Sequence, residues 1–233
     1  MNYEIIKDPK ELDKFIEWLP ELEENQKFYV SLFARKKWGF TEGLTADKNQ
    51  LKRFTCNKED LKAKLRKLEV KLGEYTYKDI KINNNSLGVY ITPNPRDMHK
   101  AGLKTAKEII SMVADGREIF NPQAIALNQI QVTGVKKYFD IDIDVWSESV
   151  TLDYLLDLIK RDEVINLDAI EGNIVQTRGG FHIMVELSKV ANAKTWYNNF
   201  NKLSCDLFDV TMNGDNMVQL PGCVQSNFTP ILL

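Results

Sequence analysis

KKYFDIDIDVW occupies residues 136–146 and sets the interpretation of the whole chain. Apolar and acidic side chains alternate along it, as they do on a β-strand with one buried and one polar face. Asp140, Asp142 and Asp144 therefore share one face of the predicted strand. Neighbouring carboxylates in this arrangement lie roughly 7 Å apart and repel unless a cation bridges them or they share a proton. Mg²⁺ and Mn²⁺ prefer such oxygen ligands, so the stretch predicts a divalent-metal site, with an inert acidic sheet face as the alternative.

TRGGFH, residues 177–182, is the second stretch that indicates chemistry. Residues 173–187 have the pattern of two strands joined at Arg178-Gly179-Gly180, which places His182 near the start of the second strand. Paired glycines let backbone N–H groups approach a ligand closely, and Arg178 adds a charged donor. The motif is not a Walker-type phosphate loop, because no GK[ST] follows it. A purely structural role is the alternative for His182.

Charge is distributed unevenly along the chain, although the net charge is only −2. Residues 35–72 carry twelve Lys and Arg against five Asp and Glu, a net charge of +7. Residues 138–172 carry ten acidic and two basic residues, a net charge of −8. The first stretch is expected to attract phosphate and the second to concentrate cations, unless both are solvated helix faces.

The composition is that of a globular protein of 233 residues, with 43% hydrophobic and 27% charged residues. No stretch approaches the ~18 consecutive apolar residues of a membrane helix, and the N-terminus lacks an apolar signal core. A cytoplasmic protein without a membrane partner is therefore expected. The odd number of cysteines, without metal-ligand spacing, predicts free thiols at Cys56, Cys205 and Cys223.

Helices and strands alternate along the chain without a regular βαβ rhythm, which predicts an α+β fold. Periodicity predicts helices at 9–19, 57–72, 98–115, 151–161 and 192–204, and strands at 28–34, 86–92, 136–146 and 207–211 besides the pair in 173–187. The segment 116–135 is the predicted boundary within a single unit spanning 1–233. It separates an N-terminal subdomain, 1–125, from a second subdomain, 126–233.

The order and spacing of five short motifs resemble the archaeo-eukaryotic primase superfamily, the primase-polymerases, over residues 86–228. The family has an hhDhD strand, then an SxH-like strand motif, then an hD motif, which correspond here to residues 138–142, 177–182 and 208–209. Residues 219–222, QLPG, resemble the RxPG segment of many members, and residues 89–96 resemble a strand that ends in N-P-R. Three positions depart from the pattern: Arg178 sits one residue early, Thr177 stands for Ser, and Gln219 stands for Arg.

The resemblance implies a two-part catalytic core, with an N-terminal α/β unit, an RRM-like unit that carries the acids, and an active-site cleft between them. It implies a template-dependent nucleotidyltransferase, a primase or DNA polymerase, that joins nucleotides to a 3′-hydroxyl with two Mg²⁺ or Mn²⁺ ions. The implied partners are a single-stranded DNA template, nucleoside triphosphates and a separate helicase or initiator. Such stand-alone cores are common in phages and plasmids.

The resemblance also assigns roles to individual residues. Metal binding and catalysis fall to Asp140, Asp142 and Asp209, with Asp144 and Asp215 as rivals for the third carboxylate, and nucleotide binding falls to Thr177, Arg178, Gly179, Gly180 and His182. Arg96 is expected to bind template or primer phosphates, and the basic composition of 35–72 extends this expectation to Arg35, Lys36, Lys37 and Arg53. Two other classes stay open: a metal-dependent nuclease with the same acid pair, and a non-catalytic replication initiator or nucleotide-binding protein of the same fold.

Overall fold

A computed structural model describes residues 2–118, 121–161, 167–200 and 202–233. Within these ranges it contains six α-helices and three antiparallel sheets, which confirms the predicted α+β class. The helices are α1 (Pro9–Trp18), α2 (Lys58–Arg66), α3 (Met98–Ala114), α4 (Pro122–Gln131), α5 (Leu152–Lys160) and α6 (Ala193–Phe200). The strands are β1 (Gln26–Arg35), β2 (Lys48–Cys56), β3 (Thr76–Tyr77), β4 (Ile80–Lys81), β5 (Leu87–Ile91), β6 (Arg96–Asp97), β7 (Tyr138–Val145), β8 (Ile174–Thr177), β9 (Gly180–Glu186), β10 (Phe208–Asn213), β11 (Val218–Gln219) and β12 (Ile231–Leu232).

The first sheet is built around the long strand β1 and has the order β11-β5-β1-β2, with β6 pairing to the start of β1. One face of β1 joins the main hydrophobic core together with α1 and α2. The opposite face carries Tyr29 and Phe33, which pack with Ala101 of α3 and Ile130 of α4. β3 and β4 form a separate hairpin.

The second sheet has the order β10-β7-β9-β8-β12, so the acid-bearing strand β7 lies between two neighbours. Ile141 and Ile143 of β7 are buried in a second core with Leu155 of α5 and Phe200 of α6. Because side chains alternate along a strand, the three aspartates of β7 project from the opposite face. The alternation of KKYFDIDIDVW thus determines which face of the sheet meets the helices.

The two sheets share packing contacts. Val175 of β8 and Met184 of β9 lie in the main core together with residues of the first sheet. Trp18 Nε1 donates a hydrogen bond of 2.8 Å to Asn173 Oδ1, and the Trp18 ring stacks on Tyr138 at 5.2 Å. A cleft remains between the sheets beside these contacts, and Asp142 and Asp144 of β7 border it.

Most of the predicted elements are confirmed within a residue or two at either end. The helix predicted at 192–204 corresponds to α6, Ala193–Phe200, and residues 202–204 are not helical. The other exception is α2, which is shorter than the prediction of 57–72. It ends at Arg66. Leu68 is still buried, and its carbonyl accepts a hydrogen bond of 2.6 Å from the Tyr75 hydroxyl. Leu72, the last leucine of the predicted stripe, is 58% exposed. The apolar stripe therefore continues into a turn and not into a longer helix.

The predicted boundary segment 116–135 contains α4 among its described residues. The side chain of Asn121 caps this helix by accepting a hydrogen bond from Ala124 N–H, and Pro122 occupies its first turn. The predicted division after residue 125 falls inside α4. The strand β11, which comes from the second half of the chain, belongs to the first sheet.

Cys56, Cys205 and Cys223 are free thiols, as predicted. Among the described helices, none is long and apolar enough to cross a membrane.

Candidate active site

The three carboxylates of β7 share one sheet face but have different surroundings. Asp142 and Asp144 border a cleft of about 300 Å³ between the two sheets. Asp140 lies deeper, with a side chain that is 6% exposed against 31% for Asp142. Burial, followed by the charges of Asp140 and Asp144, raises the pKa of Asp142, and His182 opposes that increase. A cation bound at the row would relieve this crowding of negative charge.

His182 joins the acid row from β9, directly across the ladder from Asp142. Its Nδ1 lies 2.9 and 3.1 Å from the two carboxylate oxygens of Asp140, and its Nε2 lies 3.5 Å from Asp142 Oδ1. Burial alone would lower the pKa of His182, but the charge and hydrogen bond of Asp140, with Asp142 and Asp144, raise it to about 9. In this arrangement the ring is a cation at neutral pH, at the edge of the cleft.

Cationic side chains form the opposite wall of the cleft. Arg35, Lys37 and Lys48 come from the first sheet and the residues that follow β1. Among the described residues, no Lys or Arg forms an ion pair with Asp142 or Asp144. The two walls therefore carry opposite charges without neutralising each other. A ligand that carries both signs of charge, such as a polyphosphate with divalent ions, complements such a cleft.

Arg35 is buried in this wall, where sequence composition predicted a surface residue that binds template. Its Nε and Nη2 donate hydrogen bonds of 3.1 and 2.6 Å to Asp47 Oδ2, and its Nη1 contacts the Tyr90 hydroxyl. Burial alone would raise the pKa of Asp47, but the bonds from Arg35 and from the Lys37 N–H hold it below its ordinary value. Arg35 thus contributes charge to this wall of the cleft from a fixed position.

The turn between β8 and β9 depends on glycine at one position. Gly180 has a φ of +150°, and a Cβ atom there would collide with the carbonyl oxygen of Ile143 on β7. Thr177 is buried, and its hydroxyl donates to the Gly180 carbonyl at 3.2 Å and accepts from the Gly179 N–H at 3.3 Å. Thr177 and Gly179 therefore shape the turn, and the Gly179 N–H already has a partner.

Arg178 belongs to the same turn and is exposed. Its backbone N–H donates a hydrogen bond of 2.8 Å to Gln225 Oε1. Its guanidinium lies 5.9 Å from the centroid of the Trp38 ring, at the border of the cleft. The predicted phosphate-binding arginine thus reaches the cleft from the second sheet.

Asp209, the predicted third acid, lies on the same sheet face as the acid row. It is exposed and directly across the ladder from Asp144, a pairing that places the two Cβ atoms about 5 Å apart. Asp140 faces Asn213, four residues further along β10, so Asp140 and Asp209 are separated by about 13 Å along the strand. The structure brings Asp209 to Asp144, and it does not bring Asp209 to Asp140.

Arg96 and Asp215 lie away from the cleft and engage each other. The Arg96 side chain is 1% exposed, and its Nη2 donates a hydrogen bond of 3.1 Å to Asp215 Oδ1 beside a second contact between Nη1 and Oδ2. Asn94 donates to the same carboxylate at 3.2 Å. Because it is buried and paired, Arg96 offers no surface to a template phosphate, contrary to the prediction. Asp215, a rival for the third acid, is occupied in this contact.

The other predicted nucleic-acid contacts reach the surface. Lys36 and Lys37 are exposed, and Lys37 also borders the cleft. Arg53, on β2, is partly exposed and its Nη1 donates a hydrogen bond of 2.8 Å to Asn128 Oδ1 of α4. These three cations remain candidates for contacts with a nucleic-acid backbone.

Three cleft residues had no signal in the sequence that marked them as functional. Lys48 begins β2, and burial, followed by the charge of Arg35, lowers its pKa. Tyr90 lies beneath Arg35 and Lys48. The centroid of its ring is 5.5 Å from the Arg35 guanidinium and 5.9 Å from Lys48 Nζ. The Trp38 ring lies 5.5 Å from Arg35. Lys48 and Trp38 fall within the basic stretch 35–72 and Tyr90 within a predicted strand, but only the pairing of β1 with β2 and β5 brings them together.

The residues present fit the divalent ions that the primase resemblance implies. Mg²⁺ in nucleotide sites is usually held by one or two carboxylates together with waters and substrate phosphates. Asp142 and Asp144 offer two carboxylates on a central strand at the edge of the cleft, and Asp209 lies beside Asp144. Among the described residues, no three His, Cys, Asp or Glu side chains converge into a complete ligand set.

Comparisons with protein-family models, with curated proteins and with solved structures find no match for this chain.

Proposed function

We propose that this chain is a template-dependent nucleotidyltransferase, a primase or DNA polymerase, with its active site in the cleft between the two sheets. The observation that carries the proposal is the pair of facing walls. Asp142 and Asp144 line one side, Lys37 and Lys48 line the other, and a space of about 300 Å³ separates them. A nucleoside triphosphate with its divalent ions carries both charges in one ligand.

The topology of the second sheet supports the same proposal. Its elements follow the order β7-α5-β8-β9-α6-β10, and the strands lie in the order β10-β7-β9-β8. This is the β-α-β-β-α-β arrangement of ferredoxin-like and RRM-like units. The acids then lie on a central strand of an RRM-like unit that packs against an N-terminal α/β unit, as in the primase-polymerase core.

Residues around the cleft have complementary tasks in this proposal. His182 and Arg178 bind phosphate oxygens of the incoming nucleotide from the second sheet, and Lys37 and Lys48 bind them from the first. The turn shaped by Thr177, Gly179 and Gly180 holds Arg178 at the mouth of the cleft. Lys36 and Arg53, outside the cleft, are placed to bind the phosphates of a single-stranded template.

Asp142, Asp144 and Asp209 would hold two Mg²⁺ or Mn²⁺ ions. When bound, such ions lower the pKa of an attacking 3′-hydroxyl and neutralise charge on the leaving pyrophosphate. The carboxylates themselves supply negative charge at fixed positions, because β7 is held on both sides by ladder hydrogen bonds. That rigidity is what a two-ion site requires of its scaffold.

The proposal is tested with purified protein, primed and unprimed single-stranded DNA, labelled ribo- and deoxynucleoside triphosphates, and Mn²⁺. Products whose sequence follows the template are expected from the wild type. Asp142→Asn and Asp144→Asn are each expected to reduce incorporation at least about a hundredfold, because each removes a carboxylate from the metal-binding face. Asp153→Asn, at an exposed acid on α5, is the matched control and is expected to leave incorporation unchanged.

Two other outcomes would identify the alternative classes. Shortening of the labelled DNA in the presence of Mn²⁺ would indicate a nuclease. Retention of DNA without any nucleotide incorporation would indicate a non-catalytic initiator. Either result in place of template-dependent products contradicts the proposed nucleotidyl transfer.

A further inference from the structure

We infer that Asp140 is a positioning residue that orients His182 and not a ligand of the divalent ions, an inference that rests on the proposed nucleotidyltransferase. Asp140 is the first acid of the hhDhD strand motif, the position that the family resemblance assigns to metal binding. Its hydrogen bonding, its burial and its ladder position all differ from those of Asp142 and Asp144.

The shortest hydrogen bonds of Asp140 are with one ring nitrogen, and Asn216 Nδ2 donates a longer one, of 3.5 Å, to its Oδ2. Both of its carboxylate oxygens lie within 3.1 Å of His182 Nδ1, so the Nδ1–H donates to this carboxylate. A buried, charge-assisted hydrogen bond of this kind fixes the orientation of an imidazole and determines where its other nitrogen points. That other nitrogen is Nε2, which lies 3.5 Å from Asp142 Oδ1.

Burial separates Asp140 from the other two acids. Asp142 and Asp144 border the cleft, and Asp140 does not. Across the ladder, Asp140 faces Met184, which belongs to the main core. An ion bound at Asp140 would have to give up water to enter this interior, and Mg²⁺ dehydrates reluctantly.

The position of Asp140 in the strand ladder also argues against metal binding. Asp144 and Asp209 are directly paired, whereas Asp140 pairs with Asn213, about 13 Å along β10 from Asp209. A pair of ions in a two-metal site spans only about 3.5–4 Å. The acids near the mouth of the cleft can therefore share ions among themselves, and Asp140 lies at the far end of the row.

The hydrogen bond between Asp140 and His182 affects how the nucleotide would be bound. With its Nδ1 held by Asp140, His182 keeps Nε2 beside Asp142 at the border of the cleft, where the phosphates and ions of the proposed substrate would lie. Without that acceptor the ring is free to rotate, and the phosphate contact weakens. Asp140 thus acts on the nucleotide through His182 without touching it.

The first measurement compares Mn²⁺ alone, bound to the wild type, Asp140→Asn, Asp142→Asn and Asp144→Asn, by electron paramagnetic resonance. All three substitutions remove one charge and keep the side-chain shape, so charge loss is matched. We expect Asp140→Asn to retain an affinity at least about tenfold higher than either of the other two, because it removes no ligand. An affinity of Asp140→Asn as low as that of Asp142→Asn would overturn the inference.

The second measurement follows the imidazole itself by ¹⁵N–¹H NMR. The chain has two histidines, so His99 serves as the internal reference and His182→Gln assigns the other ring. A protected Nδ1–H signal of His182 is expected in the wild type and in Asp140→Asn, whose amide oxygen still accepts the bond. The signal is expected to disappear in Asp140→Ala, and its persistence there would overturn the positioning role.

The two measurements separate this inference from the proposed function. If the wild type binds no Mn²⁺, the proposed two-ion mechanism fails, and the NMR comparison still decides whether Asp140 orients His182. If Asp140→Ala does not fold, the Mn²⁺ comparison with the isosteric Asp140→Asn decides the matter. If the enzyme is active, Asp140→Ala is expected to raise KM for the nucleotide more than it lowers kcat, and Asp140→Asn to restore KM.

Discussion

At the scale of single residues, Gly180 is a position where the backbone leaves no room for a side chain. Its φ of +150° and the nearby Ile143 carbonyl both exclude a side chain. We expect Gly180→Ala to lower the free energy of unfolding by about 2 kcal/mol or more, because the new Cβ would push β9 away from β7. Urea unfolding followed by circular dichroism measures the loss.

Gly179 provides the matched control for this substitution. A Cβ at Gly179 would meet only Asp144 Oδ1, at an ordinary contact distance of 3.5 Å. Gly179→Ala is therefore expected to change the free energy of unfolding by less than about 1 kcal/mol. Equal losses from the two substitutions would show that the Ile143 contact does not determine the glycine at 180.

His182 gives stability a pH dependence whose sign follows from its raised pKa. The value of about 9 in the folded protein lies above the ordinary value of about 6.5, so folding favours the protonated ring. The resulting stabilisation is fully present below pH 6.5 and is lost as the pH rises through 9. With divalent ions chelated, we expect the melting temperature of the wild type to fall by several degrees over this interval relative to His182→Gln. Parallel profiles for the two proteins would contradict the raised pKa.

At the scale of elements, the residues of β7 show why a large part of the fold is visible in the sequence. Alternating Asp and Ile along residues 140–144 predicts both the strand and the face that turns away from the helices, and the structure confirms both. Periodicity is informative here because one face of the strand is buried in a core and the other is not.

The strand β2 shows the opposite case. Its pairing with β1 changes register between Leu32 and Phe33, so its side chains do not alternate cleanly along residues 48–56. A β-bulge of this kind is set by the partner strand and leaves no period in the sequence. The same limit applies to the cleft, since Lys48 and Tyr90 become neighbours of the acid row only through tertiary packing.

The candidate site was predicted in part by the same reasoning. Same-face placement of Asp142 and Asp144 follows from strand alternation. Asp209 was assigned only through the family resemblance, and it joins that face because β10 pairs antiparallel with β7. Burial of Asp140 and Arg96 does not follow from any local pattern, because it depends on which distant elements cover each strand. Polar residues inside a protein are the ones for which composition is least informative.

The contact between Arg96 and Asp215 joins β6, just before α3, to the turn after β10. Asn94 adds to it by accepting from the backbone N–H groups of Lys137 and Tyr138 at 2.8 and 2.9 Å. We expect Arg96→Ala to lower the free energy of unfolding by about 3 kcal/mol, because it leaves a partly buried carboxylate without its partner. Chemical denaturation of the variant measures the loss.

Arg117 supplies the matched control for Arg96. It also pairs with acidic residues, Asp115 and Glu108, but its side chain is 51% exposed. Arg117→Ala is expected to cost less than about 1 kcal/mol, since exposed ion pairs contribute little. A double variant, Arg96→Met with Asp215→Leu, is expected to recover most of the stability lost in Arg96→Ala, because it leaves no buried charge unpaired.

At the scale of the whole molecule, the basic stretch 35–72 divides into two parts with different partners. Lys58 and Lys62 of α2 form ion pairs with Glu21 and Asp13, on the side of the first sheet that joins α1. Lys37 lies at the cleft and Arg53 beside α4, and neither pairs with a carboxylate among the described residues. The charges of Lys37 and Arg53 are therefore available to a ligand, whereas those of Lys58 and Lys62 already have acidic partners.

This division predicts how binding of single-stranded DNA depends on salt. Each phosphate neutralised contributes a slope of about −0.7 in the logarithm of the binding constant against the logarithm of salt concentration. We expect the double substitution Lys37→Gln with Arg53→Gln to make the slope shallower by about 1.4, and to weaken binding equally for all sequences, because phosphates carry no sequence information. Lys58→Gln with Lys62→Gln removes the same charge from two lysines that already have acidic partners, and is expected to leave the slope unchanged. Fluorescence anisotropy over a salt series measures both slopes, and equal effects of the two double variants would place the DNA elsewhere on the molecule.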